Sequence, residues 1–214
     1  MLVPEVAQGA ADELAELRAH CETVVRRLTD AAGSADGLVT VVGSAPENGR
    51  WGTAAGGSLY GFGVDARAGG AELVLPADLT IGAWLLDRVG FAGERAYVGV
   101  HGDVRFDVDT PVLVMGDGSA KRSATAPGHI DGRASTYDKA IAEALATGDA
   151  RALASLDVRV GEQLWAGGVP ALRSIGINVL ASDVSVRDAC LHYAEAPYGV
   201  GYFVAEWHLG NARR

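Results

Sequence analysis

Cysteine is nearly missing from this chain: 214 residues hold two, Cys21 and Cys190, and no CxxC or Cys/His knuckle. That excludes a disulfide framework and a zinc ribbon, and leaves two reduced, part-buried thiols as the expectation. Aromatic residues are scarce at 7%, so the core has to be built mostly of alanine, valine and leucine. No apolar run approaches the roughly 20 residues of a membrane-spanning helix. The opening "MLVPEVAQGAADELAEL" has neither the basic stretch nor the apolar centre of a signal peptide. A cytoplasmic protein without a membrane partner is expected. Positive charge is also short: 27 acidic side chains face 18 basic ones, a net charge of −9, with no lysine- and arginine-rich cluster. Such a surface repels phosphate backbones, which argues against nucleic acid as a partner.

What is present is apolar. Hydrophobic residues make up 49% of the chain, enough for a sizeable core and too many for a disordered one. Val6, Ala10, Leu14, Leu17, Cys21, Val24 and Leu28 recur at three- and four-residue steps and predict a helix over Pro4–Leu28. Leu38–Ser44 is a short β-branched run, apolar on both faces, as a buried strand would be. The glycine-dense stretch of residues 46–70 reads as a long loop, functional or mobile. "AELVLP" suggests a short strand, and "LTIGAWLLDRVG" a helix with Ile81, Trp84, Leu85 and Val89 on one face and Gly90 at its end. "RAYVGVHG" and "PVLVMG" read as strands. From about Asp131 the period becomes helical, with Asp149 placed to cap one helix. "VSVRDACLHYAEAPYGVGYFVAEWHL" reads as two strands around a glycine-containing turn. The order of elements predicts a single α/β domain over residues 1–214, a central mixed sheet flanked by helices.

Candidate chemistry centres on "PVLVMGDGSAKRSATAPGHID". Open α/β sheets put sites beyond the carboxyl ends of their strands. Asp117 could there orient a histidine, bind a metal or cap the next helix. Gly116 and Gly118 could turn backbone N–H groups toward an anion, with Lys121 and Arg122 adding charge. A tight turn with a capping aspartate accounts for the same residues. Ser119 and His129 complete the pocket candidates in this stretch. Ser44, at the end of a strand in "VVGSAP", is a further one, although a serine nucleophile needs a base that the sequence does not place. His101 and His129, with Asp117, are candidate metal ligands; Glu195 and Glu206 are further carboxylates. The sequence has no HExxH, Walker, GxGxxG or GxSxG pattern. Tyr198, Tyr202, Phe203 and Trp207 make the last strand aromatic, suited to core packing or a dimer edge.

Five segments taken together, "LVPEVAQGAADELAELRAHC", "TIGAWLLDRVGF", "VLVMGDGSAKRSATAPGHID", "YDKAIAEALATGD" and "APYGVGYFVAEW", resemble actinobacterial proteins of the class III extradiol ring-cleavage dioxygenase superfamily. The resemblance covers most of the chain except residues 46–70. It implies an extradiol dioxygenase-like α/β domain with a central mixed sheet, related to catechol ring-cleaving enzymes and Memo-like proteins. It also implies a ferrous ion, Fe(2+), held by two histidines and a carboxylate, with another histidine as acid and base. A small aromatic substrate and a homodimer follow from the same likeness. The sequence departs from the pattern where the chemistry would be. Relatives read like Gly-Asp-x-Ser-His where this chain has Gly116-Asp117-Gly118-Ser119-Ala120. Many carry a His-Pro-Pro element just ahead of the segment matching Leu2–Val6, and none precedes Pro4 here. "VVGSAPENG" supplies no second ligand histidine. An alanine methyl neither ligates metal nor moves a proton. The expectation is therefore a dioxygenase-like protein without standard iron-dependent ring cleavage. The alternatives are an active enzyme using other ligands, or a small-molecule-binding or scaffold protein.

Overall fold

In the computed structural model, which describes residues 2–7, 12–33 and 37–211, the run Leu38–Ser44 is a strand, β1. Val39, Val41 and Val42 are 0% exposed, so both faces of β1 are covered, as its lack of alternation implies. It lies at the heart of a four-stranded mixed sheet. β6 (Glu94–Val100) and β7 (Val112–Met115) flank β1 in parallel, and β2 (Gly49–Trp51) runs antiparallel on the outer side of β6. The chain divides into two compact units, and this sheet belongs to the first: Met1–Gly102 with Thr110–Met115. The second is Asp103–Asp109 with Gly116–Arg214.

The helical expectation for Pro4–Leu28 is met in part, by separate elements rather than by one helix. α1 spans Pro4–Ala7, a 3-10 turn spans Asp12–Leu14, and α2 runs over Ala15–Ala32, one turn past Leu28. Ala10 lies outside the described residues. Along α2 the buried positions are Leu17 and Val25 rather than Val24, and Cys21 is partly buried.

The long-loop expectation for residues 46–70 is corrected. Besides β2, the stretch holds β3 (Ala55–Ser58), a 3-10 turn at Tyr60–Phe62 and β4 (Arg67–Gly69). β3 is the middle of a three-stranded sheet between β4 and the two-residue β5 (Glu72–Leu73), all that forms from "AELVLP". Its glycines serve contact rather than looseness. A side chain at Gly57 would meet the Thr80 hydroxyl, which donates to the carbonyls of Leu75 at 3.1 Å and Pro76 at 2.9 Å. α3 (Ala77–Arg88) is buried on most of its circumference, from Leu79 through Leu86, and not only on the Trp84 face. Gly82 makes that possible: a methyl there would collide with Val41 of β1. The core of this unit gathers Val41, Leu79, Leu86, Phe91 and Tyr97 around the two sheets and α3.

The second unit is helical, with one hairpin. α4 (Ala134–Thr147), α5 (Ala150–Ala154), α6 (Val158–Gln163) and α7 (Val169–Leu180) precede β8 (Val184–Glu195) and β9 (Tyr202–Asn211). Asp149 does cap α5, accepting the Ala152 N–H at 2.9 Å, and Asp157 caps α6 through the Val160 N–H at 3.1 Å. The segment Asp103–Asp109 has no regular structure and is tied down by α7. Asn178, 4% exposed, accepts the Phe106 N–H at 3.1 Å and donates to the Val104 carbonyl at 2.8 Å. Trp207 of β9 donates its indole N–H to the Leu145 carbonyl of α4 at 2.7 Å. The architecture is mixed α/β, as expected. The strands do not form one sheet, however: among the described residues β8 and β9 pair only with each other. Among the described residues no helix is long and apolar enough to cross a membrane.

Candidate functional site

The loop that leaves β7, residues 116–131, belongs to the second unit and has its own ladder there. The Gly118 N–H donates to the Gly201 carbonyl at 2.8 Å, the Gly201 N–H returns a bond to the Ser119 carbonyl at 2.8 Å, and the Arg122 N–H donates to Gly199 at 2.9 Å. The loop is thus stitched along the turn between β8 and β9. Beneath it stands Asp138 of α4, 1% exposed. Its carboxylate accepts the Ser119 N–H at 2.8 Å, the Ser119 hydroxyl at 2.9 Å and the Arg122 guanidinium at 3.2 Å. Gly118 and Gly201 leave the room for it, since a Cβ on either would touch that carboxylate. Two donors from Ser119 and a guanidinium satisfy a buried charge that would otherwise be costly.

Asp117 faces another way. Its Oδ1 accepts the Gly168 N–H, just before α7, at 3.0 Å. Burial pushes its carboxyl above the ordinary range, against the pull of that backbone bond. The Tyr202 hydroxyl is pushed up to about 12, by burial first and then by the Asp117 charge. Ala120 donates its N–H to the Leu164 carbonyl at 3.0 Å, and its carbonyl accepts the Gly128 N–H at 3.0 Å. Lys121 lies 5.3 Å from the centroid of the exposed Trp165 ring.

Strain collects here. The three non-glycine residues with positive φ among the described residues are His129 at 59°, Trp165 at 57° and Tyr198 at 56°. One is in the loop, one follows the Leu164 that holds Ala120, and one sits in the hairpin turn to which the loop is bonded. Such conformations cost of order 1–3 kcal/mol each and cluster at functional sites.

The structure therefore brings together Asp117, Gly118, Ser119 and Lys121 from the sequence candidates, with His129 exposed at the end of the same loop. Ser44 and His101 belong to the first unit. Ser44 takes a structural bond, its N–H donating to Asp78 Oδ2 at 3.2 Å, and the exposed His101 donates its N–H to Asn48 Oδ1 at 2.8 Å. Cys190, expected part-buried, is exposed on the hairpin. Beside it the Glu206 carboxylate is shared between two imidazoles, His192 at 3.3 Å from Oε2 and His208 at 3.4 Å from Oε1. The sequence reading missed Asp138. A usable signal was present: Ala134, Asp138, Ile141 and Ala144 form the buried face of α4, and a carboxylate on an apolar stripe demands partners.

No model of a known protein family matches the chain, and no curated protein matches it. The ferrous ion that the resemblance implies can be tested against these side chains. Around the loop the donors are Asp138, whose carboxylate is filled by three internal bonds, Asp117, bonded to Gly168, and one exposed imidazole, His129. At Glu206 the two imidazoles approach different oxygens rather than one common point. Among the described residues no group of three or more His, Cys, Asp or Glu side chains is arranged to hold a metal ion. These residues do not fit a two-histidine, one-carboxylate iron centre.

Proposed function

We propose that this chain is an extradiol dioxygenase-like protein that has given up standard iron-dependent catechol ring cleavage and keeps the loop of residues 116–131 as part of a small-molecule site. One observation carries the reading: at the head of the loop, residues 117–120, the groups that could do chemistry are consumed in its architecture. Ser119 commits its N–H and its hydroxyl to Asp138, Asp117 holds Gly168, and position 120 offers only a methyl. Ring cleavage needs an imidazole to accept and deliver protons beside the bound ring. The backbone strain around the same loop supports a retained function for it. A small aromatic molecule is the partner class that the resemblance suggests.

The test is a ring-opening assay. Protein loaded anaerobically with ferrous iron and then given oxygen and protocatechuate is expected to yield no more ring-opened product than free iron does. Product formed at a catalytic rate, and lost when His129 or His101 is replaced, would overturn the proposal in favour of an enzyme with other ligands.

A further inference from the structure

The loop and the hairpin turn border an open pocket of about 500 Å³, lined by Arg122, Ser123, Tyr193, Glu195, Pro197 and neighbouring backbone of the turn. That volume lies in the range of small-molecule sites. Its charges are the informative part. Arg122 is 29% exposed, and one of its terminal nitrogens is fixed by the buried Asp138. A guanidinium held that way has donors left over in a set orientation, which suits a carboxylate. Glu195 lines the same pocket, exposed, its backbone paired with Tyr202 in the hairpin and its side chain in no hydrogen bond or ion pair among the described residues. Arg122 and Glu195 line one cavity without forming a salt bridge with each other. A pair of opposite charges that line one pocket without pairing to each other matches a ligand that carries both signs. Tyr193 and Pro197 offer an aromatic face and an apolar edge between them. The turn that builds this wall contains the strained Tyr198 at φ 56°, so the cavity is maintained at a conformational cost.

We infer that this cavity binds a small zwitterion of the amino-acid type, its carboxylate on Arg122, its ammonium on Glu195 and an aromatic or aliphatic body against Tyr193 and Pro197. The inference names the ligand class for the small-molecule site proposed above and rests on that reading. Asp138 is then a positioning residue: it touches Arg122, not the ligand.

Three probes with one ring test it on the full chain without added iron, so the result is independent of the ring-opening assay. L-phenylalanine has both charges, 3-phenylpropionate only the carboxylate, and phenethylamine only the ammonium. Calorimetric titration is expected to show L-phenylalanine binding at least about fivefold more tightly than either of the others, the factor that one partly exposed ion pair supplies. Glu195→Gln, at an exposed position, should leave the fold intact, weaken L-phenylalanine about fivefold and leave 3-phenylpropionate unchanged. Arg122→Lys should weaken both carboxylate probes. Equal affinity for all three probes, no binding of any at millimolar concentration, or an unchanged L-phenylalanine affinity in Glu195→Gln would each overturn the inference.

Discussion

The contact of β1 with α3 in the first unit and the loop over Asp138 in the second both depend on glycine, for opposite reasons. At Gly82 the missing side chain admits Val41, an apolar group that is 0% exposed. At Gly118 and Gly201 it admits a carboxylate. The first contact is held by shape and dispersion, is indifferent to pH, and fails when volume is added. The second is held by charge-assisted hydrogen bonds and fails when one partner of the network is withdrawn. A close-packed apolar seam has nothing to offer a polar ligand, whereas an anchored guanidinium does. That difference is why the candidate site lies with the loop and not with the sheet of the first unit.

Removing the charge from the second region should have the largest effect. Asp138→Ala strands the Ser119 hydroxyl, its N–H and the Arg122 guanidinium together, and is expected to cost about 3–5 kcal/mol in denaturant unfolding. Asp138→Asn keeps the volume and one acceptor and should cost clearly less; equal losses for the two would mean that the charge alone governs this region and that neither the retained volume nor the retained acceptor helps. In the first region the matching experiment adds volume. Gly82→Ala should cost about 1–3 kcal/mol, with no change in the pH dependence of stability. A pH-dependent loss there would blur the distinction.

Asp117→Asn sharpens it further. Burial raises the folded-state pKa of Asp117 above its unfolded value, so the native state holds that proton more tightly. Stability from this group is therefore present below the ordinary carboxyl pKa and is lost as pH rises through the raised one. The asparagine variant can still accept the Gly168 N–H and is spared that loss. It should be more stable than the parent at neutral pH, by no more than about 1 kcal/mol, with the gap closing toward about pH 3. A gap that widened on acidification would reverse the sign and refute the assignment. Lys121→Ala is the smallest change: the exposed contact with Trp165 should be worth about 0.5–1 kcal/mol, and less of it should survive in the presence of a soluble quaternary ammonium competitor.

Much of the fold was legible in periodicity. β1, β6, β7, α3, the Asp149 cap and the terminal hairpin all stand where apolar period and cap residues put them. Residues 46–70 were not, because β2, β3 and β4 are three or four residues each and rich in glycine. Short strands of that composition carry no alternation to read; they form because partners already exist to pair with. The candidate site was half legible. Its loop announced itself by composition, as strand, glycine, aspartate and serine in succession, and the alanine at position 120 could be seen without coordinates. What Asp117 and Ser119 bond to could not be seen, because their partners, Gly168 and Asp138, are 51 and 19 residues away.

The sequence by itself determined which groups are available: a loop with a carboxylate and a hydroxyl but no imidazole at position 120, on an acidic, alanine- and valine-rich chain. Tertiary structure decided what those groups do. Side-chain chemistry is fixed residue by residue, but a hydrogen bond needs a second group within about 3 Å, and only the folded chain supplies it. Folding gave Ser119 to Asp138, and it set Arg122 and Glu195 on the wall of one cavity without pairing them to each other.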